Sequence, residues 1–449
     1  MKRIIPQAIK NIYHLFHAAL ANFRYGFPSR KLKVIGVTGT NGKTTTVQMI
    51  SGILEGSGFP EKIDGYGASK IAIASTINFK IGAKEWVNDT KFTTLSSWRL
   101  QKLLRDAVEA GCEYAIVEVT SHALDQNRVF GVDFNVAVVT NVTREHLDYH
   151  KTMEEYCQAK QKLFKIVSGN KDGVSIVNLN MEFANNFLEY SAKNRYGYGI
   201  GNQNVKSQIS NQIQNKEFKP VFAEDVKLNI HNTQYTILNT QFTLNLPGEF
   251  NIENALAATC VGLSQGISLE KISRALEKIK SVPGRMENIE NDRGFAIIVD
   301  YAVTPDSLQK LYNYIGGLKK EGSRIIAVFG SCGERDRGKR PIMGKIVAKI
   351  ADYVFVTNED PYGENPQQII DEVFAGVLDH KKENENAWRI FDRREAIKKA
   401  LQVAGVGDIV VVTGKGAEEI MVVGKKRIPW NDPKVIREVL SERVKEKNR

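Results

Sequence analysis

Between Lys33 and Ile50 the chain reads KVIGVTGTNGKTTTVQMI, an apolar strand-like run followed by Gly39-Thr40-Asn41-Gly42-Lys43-Thr44-Thr45 and then a helix-like pattern. A strand, a glycine-rich turn and a helix start together make a phosphate cradle. Backbone N–H groups line the turn, the helix N-terminus adds positive potential, and Lys43 reaches the terminal phosphates. Thr44 supplies a hydroxyl suited to magnesium. The residue five before Gly42 is Val37, so the spacing departs from the standard loop and indicates a nucleoside triphosphate without naming a class of enzyme. Two further residues are placed for chemistry: Glu118 ends the strand-like run YAIVEV, and His146 lies just beyond FNVAVVTNV. Ligands of open α/β sheets bind at the carboxyl ends of strands. A carboxylate and an imidazole there are suited to hold magnesium ions bridging ATP and an acceptor. Either residue alone is more often structural; beside the loop, the pair reads as a metal site.

The elements that must position these residues follow from periodicity. From Lys31 onward, strand-like runs (KVIGVTG, EYAIVEV, FNVAVVTNV, VSIVNL) alternate with helical segments such as SSWRLQKLLRDAVEAG, the pattern of a parallel sheet covered by helices. From about Val205 to Phe250 short alternating segments rich in Asn, Gln and Thr predict antiparallel hairpins, an annex to this domain. Pro283-Gly284 marks a boundary. Four more strand-like runs follow: FAIIVDYA, RIIAVFG, DYVFVTN and DIVVVTG. The expected fold is therefore α/β: a central P-loop ATPase domain with a parallel sheet and antiparallel annex over 31–283, then a Rossmann-like α/β domain over 284–449. DHKKENENAWR is expected to be a solvated surface turn.

Residues 1–30 form a short leader. Ile5, Ile9, Ile12, Phe16, Leu20 and Phe23 recur three or four apart, so they share one face of an amphipathic helix. That face is expected to dock on the protein's own body, with contact to a membrane surface as the other reading. Lys10, Asn11, His14 and His17 interrupt any continuous apolar core, which argues against a cleaved signal, and no later window is long enough to span a membrane.

Composition bounds the rest. A chain of 449 residues, 42% hydrophobic and 25% charged, has the make-up of a soluble globular protein of about two to four domains. Cys112, Cys157, Cys260 and Cys332 lack the spacing of a zinc ribbon or a disulfide framework and fit a reducing, cytoplasmic compartment. The net charge of +11 suits a polyanionic partner, yet the basic residues are dispersed and no RNA-binding or zinc-finger signature accompanies them, so nucleic acid is not an expected partner.

TGTNGKTT, the pair Thr93-Thr94, EVTSHALDQNR, TNVTREHLDYH, YCQAKQKLF, LPGEFNIENALAA, VPGRME, VDYAVTPDSL, GERDRGKRPIMG, DRREAI, GKGAE and IPWND follow one another in order. On these motifs the sequence, over about residues 31–449, resembles the Mur ligase family, the ATP-dependent amide-bond-forming enzymes of peptidoglycan assembly. Its nearest branch adds the third residue of the stem peptide. The resemblance implies that ATP phosphorylates a muramoyl-peptide carboxylate and that the amine of an amino acid attacks the acyl phosphate, a reaction governed by positioning and charge neutralisation. It implies Lys43 on the phosphates, Thr44, Glu118 and His146 around magnesium, and a carbamylated lysine at Lys160 able to hold a second magnesium. It places Asn251 and Asn254 on the adenine side, Arg285 on a phosphate from the second domain, and Asp300 on the ribose. Domain closure is expected to complete the site. Thr93, Thr94, Thr120, Gln126 and Arg128 match acceptor positions, whereas Arg335, Gly414 and Glu418 match the amino-acid pocket. The enzyme is expected to act as a monomer.

Three departures from the family pattern stand out. Members using UDP-linked substrates carry a further domain before the loop, whereas about thirty residues precede it here. A lipid-linked or shortened acceptor, folylpolyglutamate-type chemistry, and recognition through a partner protein therefore stay open. The motif Asp-Asn-Pro-Arg, whose arginine reads the distal carboxylate of diaminopimelate, is Glu359-Asp360-Pro361-Tyr362, which points to lysine, ornithine or another amine. Two family histidines are Val303 and Ala417, and Glu145 stands where aspartate usually precedes the metal-binding histidine. These losses also suit a different class of protein, a nucleotide-binding interaction subunit with reduced catalysis.

Overall fold

The computed structural model describes residues 6–56, 70–201, 218–229 and 232–447. The chain forms two compact units, one of residues Met1–Thr143 and Thr152–Lys280, the other of Arg144–Lys151 and Ser281–Arg449.

In the first unit, eleven strands make one sheet. They are β1 (Lys33–Thr38), β2 (Ile71–Ala74), β3 (Asn78–Ile81), β4 (Lys84–Val87), β5 (Tyr114–Glu118), β6 (Phe134–Val139), β7 (Val174–Asn178), β8 (Asn194–Ile200), β9 (Phe218–Leu228), β10 (Thr233–Ile237) and β11 (Thr240–Leu244). Their spatial order is β11-β10-β9-β8-β7-β6-β1-β5-β2-β3-β4. The strands from β9 to β2 run parallel. β1 is buried from Val34 to Thr38, as expected of a strand enclosed on both faces and written as an unbroken apolar run. The expected hairpins are present among the described residues as antiparallel β9, β10 and β11, turned at Leu238-Asn239, where both residues adopt positive φ. They extend the main sheet, because β9 pairs parallel with β8. Ile5 and Val205 lie outside the described residues.

The leader helix, Gln7–Tyr25, corrects one expectation: it docks by the face opposite to its apolar stripe. Ala18, Ala21 and Asn22 are buried, whereas Phe16 is 62% and Phe23 81% exposed. Polar contacts decide the orientation. Asn22 Nδ2 donates to Phe130 O at 2.8 Å, and Trp98 Nε1 donates to His17 Nδ1 at 3.1 Å. Hydrophobic periodicity reports that a helix has an apolar side, but not which side its polar groups will anchor.

The second unit holds a six-stranded sheet of β12 (Glu287–Asn288), β13 (Ala296–Asp300), β14 (Ile325–Phe329), β15 (Tyr353–Thr357), β16 (Ala387–Ile390) and β17 (Ile409–Thr413), in the order β12-β13-β17-β14-β15-β16. All but β12 are parallel. A small hairpin, β18 (Ile420–Val423) and β19 (Lys426–Pro429), follows. β16 corrects the reading of DHKKENENAWR as surface turn alone. Ala387 is buried and Trp388 stacks on Phe355 at 4.8 Å between ring centroids, so the end of that polar stretch closes the sheet edge.

Candidate active site

The loop after β1 sits where the sheet order reverses, between β5 and β6. In register, Val37 of β1 pairs with Glu118 of β5, and Thr38 pairs with Val139 of β6. Glu118 is therefore delivered beside the loop's entrance, and Thr140-Asn141 lies on its other flank. Asn141 holds the loop through its own backbone and side chain: Thr40 N donates to Asn141 O at 2.9 Å and Asn41 N to Asn141 Oδ1 at 2.9 Å. Thr140 Oγ1 donates to Asn41 O at 2.6 Å.

The two loop glycines are dictated by space. A Cβ on Gly39 would lie 1.8 Å from Thr140 Oγ1, and one on Gly42, whose φ is +82°, would lie 2.2 Å from Asn254 Oδ1. Asn254, expected on the adenine side, is 5% exposed and faces the loop's glycine; it also accepts from Thr46 Oγ1 at 3.3 Å and donates to Asn251 Oδ1 at 3.2 Å. Asn251 Nδ2 in turn donates to Pro247 O at 2.8 Å.

Two lysines converge on Gly39. Lys43 Nζ donates to the carbonyls of Gly39 (3.0 Å) and Thr40 (2.8 Å), and Lys160 Nζ donates to Gly39 O at 2.9 Å. Lys160 is 1% exposed, on the helix Met153–Ser168, with its ammonium 4.4 Å from the centroid of the Tyr156 ring. The Tyr156 hydroxyl lies 3.1 Å from Thr40 Oγ1. Asn141 and Tyr156 stand inside the motifs TNVTREHLDYH and YCQAKQKLF, but nothing in their type or spacing marks them as partners of the loop.

Glu118 is completely buried. Thr76, which no motif announced, donates to both of its carboxylate oxygens, from its backbone N (3.0 Å) and from its Oγ1 (2.8 Å). The acceptor candidates adjoin this carboxylate. Thr76 Oγ1 also lies 3.1 Å from Thr93 Oγ1, Thr94 Oγ1 donates to Glu118 O at 2.9 Å, and Thr120 N donates to Thr94 Oγ1 at 2.9 Å. Arg128 Nη1 donates to Thr94 O at 3.0 Å, and Gln126 caps the short helix Ser121–Asp125. Thr44 and Thr45 are buried in the first turn of the helix Lys43–Gly56, whose N-terminus faces the cradle. No group of three or more His, Cys, Asp or Glu suited to a metal occurs among the described residues. A hydroxyl and a carboxylate at the loop nevertheless form the hard oxygen donor set magnesium prefers when phosphates and water complete its shell.

His146 belongs to the segment Arg144–Lys151, which is part of the second unit. It adopts φ +57° ahead of the short helix Leu147–His150, and its carbonyl accepts from His150 N at 2.9 Å. The neighbouring Glu145 is buried and pairs with Lys339 Nζ at 2.9 Å; Lys339 also donates to Val303 O at 3.0 Å.

Also in the second unit, Arg285 lies over the Tyr301 ring at 4.4 Å, and Met286 N donates to Asp300 Oδ2 at 2.8 Å. Desolvation raises the pKa of Asp300 against the opposing charge of Arg285. Tyr301 OH donates to Glu418 Oε1 at 3.4 Å. The Glu359-Asp360 pair is more internal than expected of substrate contacts. Asp360 is 2% exposed, with Oδ2 on Lys415 Nζ at 2.8 Å and Oδ1 accepting from Val422 N at 2.6 Å. Lys415 is fully enclosed and also donates to Glu418 Oε2 at 2.6 Å. Burial by itself would depress its pKa, but the two carboxylates outweigh burial and hold the amine protonated.

Glu359 accepts from Cys332 Sγ at 2.9 Å, and a Cβ on Gly414, at φ +112°, would meet its Oε2 at 2.4 Å. Burial pushes the Glu359 carboxyl up in pKa, against the Cys332 hydrogen bond and the charge of Arg393. Tyr362, at φ +50°, carries the exposed Arg335 over its ring at 5.5 Å, so the residue replacing the motif arginine sits beside another arginine. Ala417 meets the Pro283-Gly284 turn: a Cβ on Gly284 would lie 2.0 Å from Ala417 N.

The DRREAI and IPWND motifs meet in a structural contact. Arg393 and Asp432 form a buried bidentate pair at 2.8 and 2.6 Å, and Trp430 Nε1 donates to Asp432 Oδ1 at 2.8 Å.

Comparison with known proteins gives the same order of parts. Residues 37–262 match the Mur ligase middle domain and residues 284–416 the Mur ligase glutamate ligase domain. The UDP-N-acetylmuramyl-tripeptide synthetase of Roseiflexus sp. (strain RS-1) is 38% identical over 442 residues, covering 95% of this chain and 82% of the relative. The UDP-N-acetylmuramoyl-L-alanyl-D-glutamate--2,6-diaminopimelate ligase of Clostridium tetani (strain Massachusetts / E88) is 36% identical over 440 residues, covering 97% and 82%. A solved structure of a ligase of that same name superposes with a TM-score of 0.58 at 30% identity, over 92% of this chain and 79% of the other. The loop braced by Asn141 and Asn254 lies within the part that matches the middle domain and the second α/β unit within the part that matches the glutamate ligase domain, and the chain belongs to the Mur ligase family.

Proposed function

We propose that the chain lengthens a muramoyl-peptide by one amino acid in peptidoglycan precursor synthesis. Mur ligases are ATP-dependent acid–amino-acid ligases, and the convergence of Lys43 and Lys160 on Gly39 beside the buried Glu118 is the observation that carries this reading. An oxygen of the acceptor carboxylate attacks the γ-phosphorus and the bond to ADP breaks. The amino acid's nitrogen, having lost its proton, then attacks the acyl carbon, and phosphate leaves as the amide forms. Thr40 and Asn41 spend their backbone N–H groups on Asn141, so within the loop Gly39–Thr45 those from Gly42 onward bind the phosphates, and Lys43 neutralises their charge. Magnesium, when bound, screens the phosphoryl oxygens, and Thr44, Glu118 and His146 are the residues assigned to hold it. Thr93, Thr94, Thr120, Gln126 and Arg128 receive the acceptor, while Asn251, Asn254, Arg285 and Asp300 serve the nucleotide.

Lys160 is carbamylated in the working enzyme in this reading. A bare ammonium repels magnesium, whereas a carbamate offers it an anionic oxygen donor; the ammonium first gives up one proton, and the neutral amine then adds carbon dioxide with loss of a second. Isotopically labelled bicarbonate should give a carbamate carbon signal that Lys160→Ala abolishes; an unlabelled wild-type protein would refute the modification.

For the incoming amino acid, Arg335 takes the α-carboxylate and Glu418, beside Gly414, the amine. Tyr362 offers no charge to a distal carboxylate, so the favoured substrates are lysine, ornithine or a similar amine. No helix among the described residues is long and apolar enough to cross a membrane. The reaction is assigned to the cytoplasm, where ATP is available, and to a monomer. Phosphate release with a panel of amino acids, against UDP-linked and lipid-linked muramoyl-dipeptide, tests the assignment. Turnover with lysine or ornithine above that with diaminopimelate is expected; preference for diaminopimelate would overturn the role given to Tyr362.

A further inference from the structure

The face that the leader helix leaves outward is large, apolar and bordered by cations. Ile9, Ile12, Tyr13, Phe16, Leu20 and Phe23 are between 43% (Leu20) and 81% (Phe23) exposed and fall on one stripe of the helix Gln7–Tyr25. Hydrophobic burial favours turning such a stripe inward, yet Asn22 anchors the opposite face to Phe130, and His17, on the flank of the stripe beside Tyr13, bonds Trp98. A contiguous exposed apolar stripe of this kind marks an interaction surface.

Charge selects the occupant. Lys10 and Arg24, both exposed, border the stripe on one side. From Met1 to Lys33 the sequence contains seven Lys and Arg and no Asp or Glu. Two copies meeting by this face would bring like charges together in a chain that already carries +11. Anionic headgroups would instead neutralise the cations while the six side chains enter the acyl boundary.

We propose that the outward face of the helix Gln7–Tyr25 is an anchor that lays the protein on an anionic lipid surface. The anchor is independent of the ligase chemistry, since none of its residues belongs to the catalytic or binding machinery.

The test is co-sedimentation of the full chain with vesicles of phosphatidylcholine alone or mixed with phosphatidylglycerol. The chain should pellet with the mixed vesicles and not with phosphatidylcholine alone, and binding should fall about tenfold when salt is raised. Phe16→Ser/Phe23→Ser, which removes apolar surface without altering charge, should stay in the supernatant with an unchanged circular dichroism spectrum and melting temperature. Phe16→Leu/Phe23→Leu should still pellet. Equal pelleting of the serine variant and the wild type would reduce the effect to diffuse charge and overturn the anchor. Absence of vesicle binding would overturn it as well, and a dimer in sedimentation velocity that the serine variant dissolves would then assign the face to a second copy.

Discussion

Gly42 and Glu359 show how single residues set the terms of this site. At Gly42 a positive φ and the approach of Asn254 exclude any side chain, so Gly42→Ala should cost about 1–3 kcal/mol in urea denaturation and displace the loop. Adding Asn254→Ala should recover the steric part of the loss and leave the conformational part. Glu359 makes a prediction about pH. Its pKa is raised in the folded protein, chiefly by burial, so the folded state holds its proton more tightly than the unfolded chain, where glutamate titrates near ~4.3. The stability contributed by the protonated form is therefore full below that value and is lost as pH rises through the higher folded value. In Glu359→Gln this loss disappears. The variant's stability relative to wild type should climb across that window and then level off; a difference independent of pH would show that Glu359 is not destabilised by burial.

Among the elements, the helix Arg393–Val403 and the start of the helix Asp432–Lys447 are tied by the buried Arg393–Asp432 pair. Asp432→Ala strands the guanidinium charge and should cost about 3–5 kcal/mol, read through the fluorescence of Trp430, whose indole loses its acceptor. The strands that build the site were legible because β1, β5 and β6 are largely buried apolar runs with a polar residue at or just past the carboxyl end, Thr38, Glu118 and Thr140. The loop was legible too, because Gly, Lys and Thr at that spacing have few other uses. What escaped was whatever depends on a partner distant in sequence. Thr76 sits in an unremarked turn yet satisfies Glu118. Asp360 reads as a motif acid until Lys415 and the Val422 N–H are seen to occupy it. The leader helix showed an apolar stripe whose direction was settled by one asparagine and one histidine. β16 was hidden because an edge strand needs few apolar residues, and Trp388 supplies most of its packing.

Across the whole molecule, each unit carries its own core, one around Leu104, Phe134, Leu163 and Phe164, the other around Ile297, Val328, Val410 and Ile436. The phosphate loop, Glu118 and Lys160 belong to the first unit, whereas Arg335, Gly414 and Glu418 belong to the second. Family membership and the first unit's geometry together make the chain a ligase whose ATP turnover serves amide formation. One measurement decides this: phosphate release from ATP and magnesium with the muramoyl-dipeptide and an amino acid supplied singly and together, in wild type and Lys43→Ala. Release should require both co-substrates and fall at least about a hundredfold in the variant, the scale expected for removing a charge that stabilises the transferring phosphoryl group. Release that ignores the co-substrates, or that survives Lys43→Ala, would contradict the assignment.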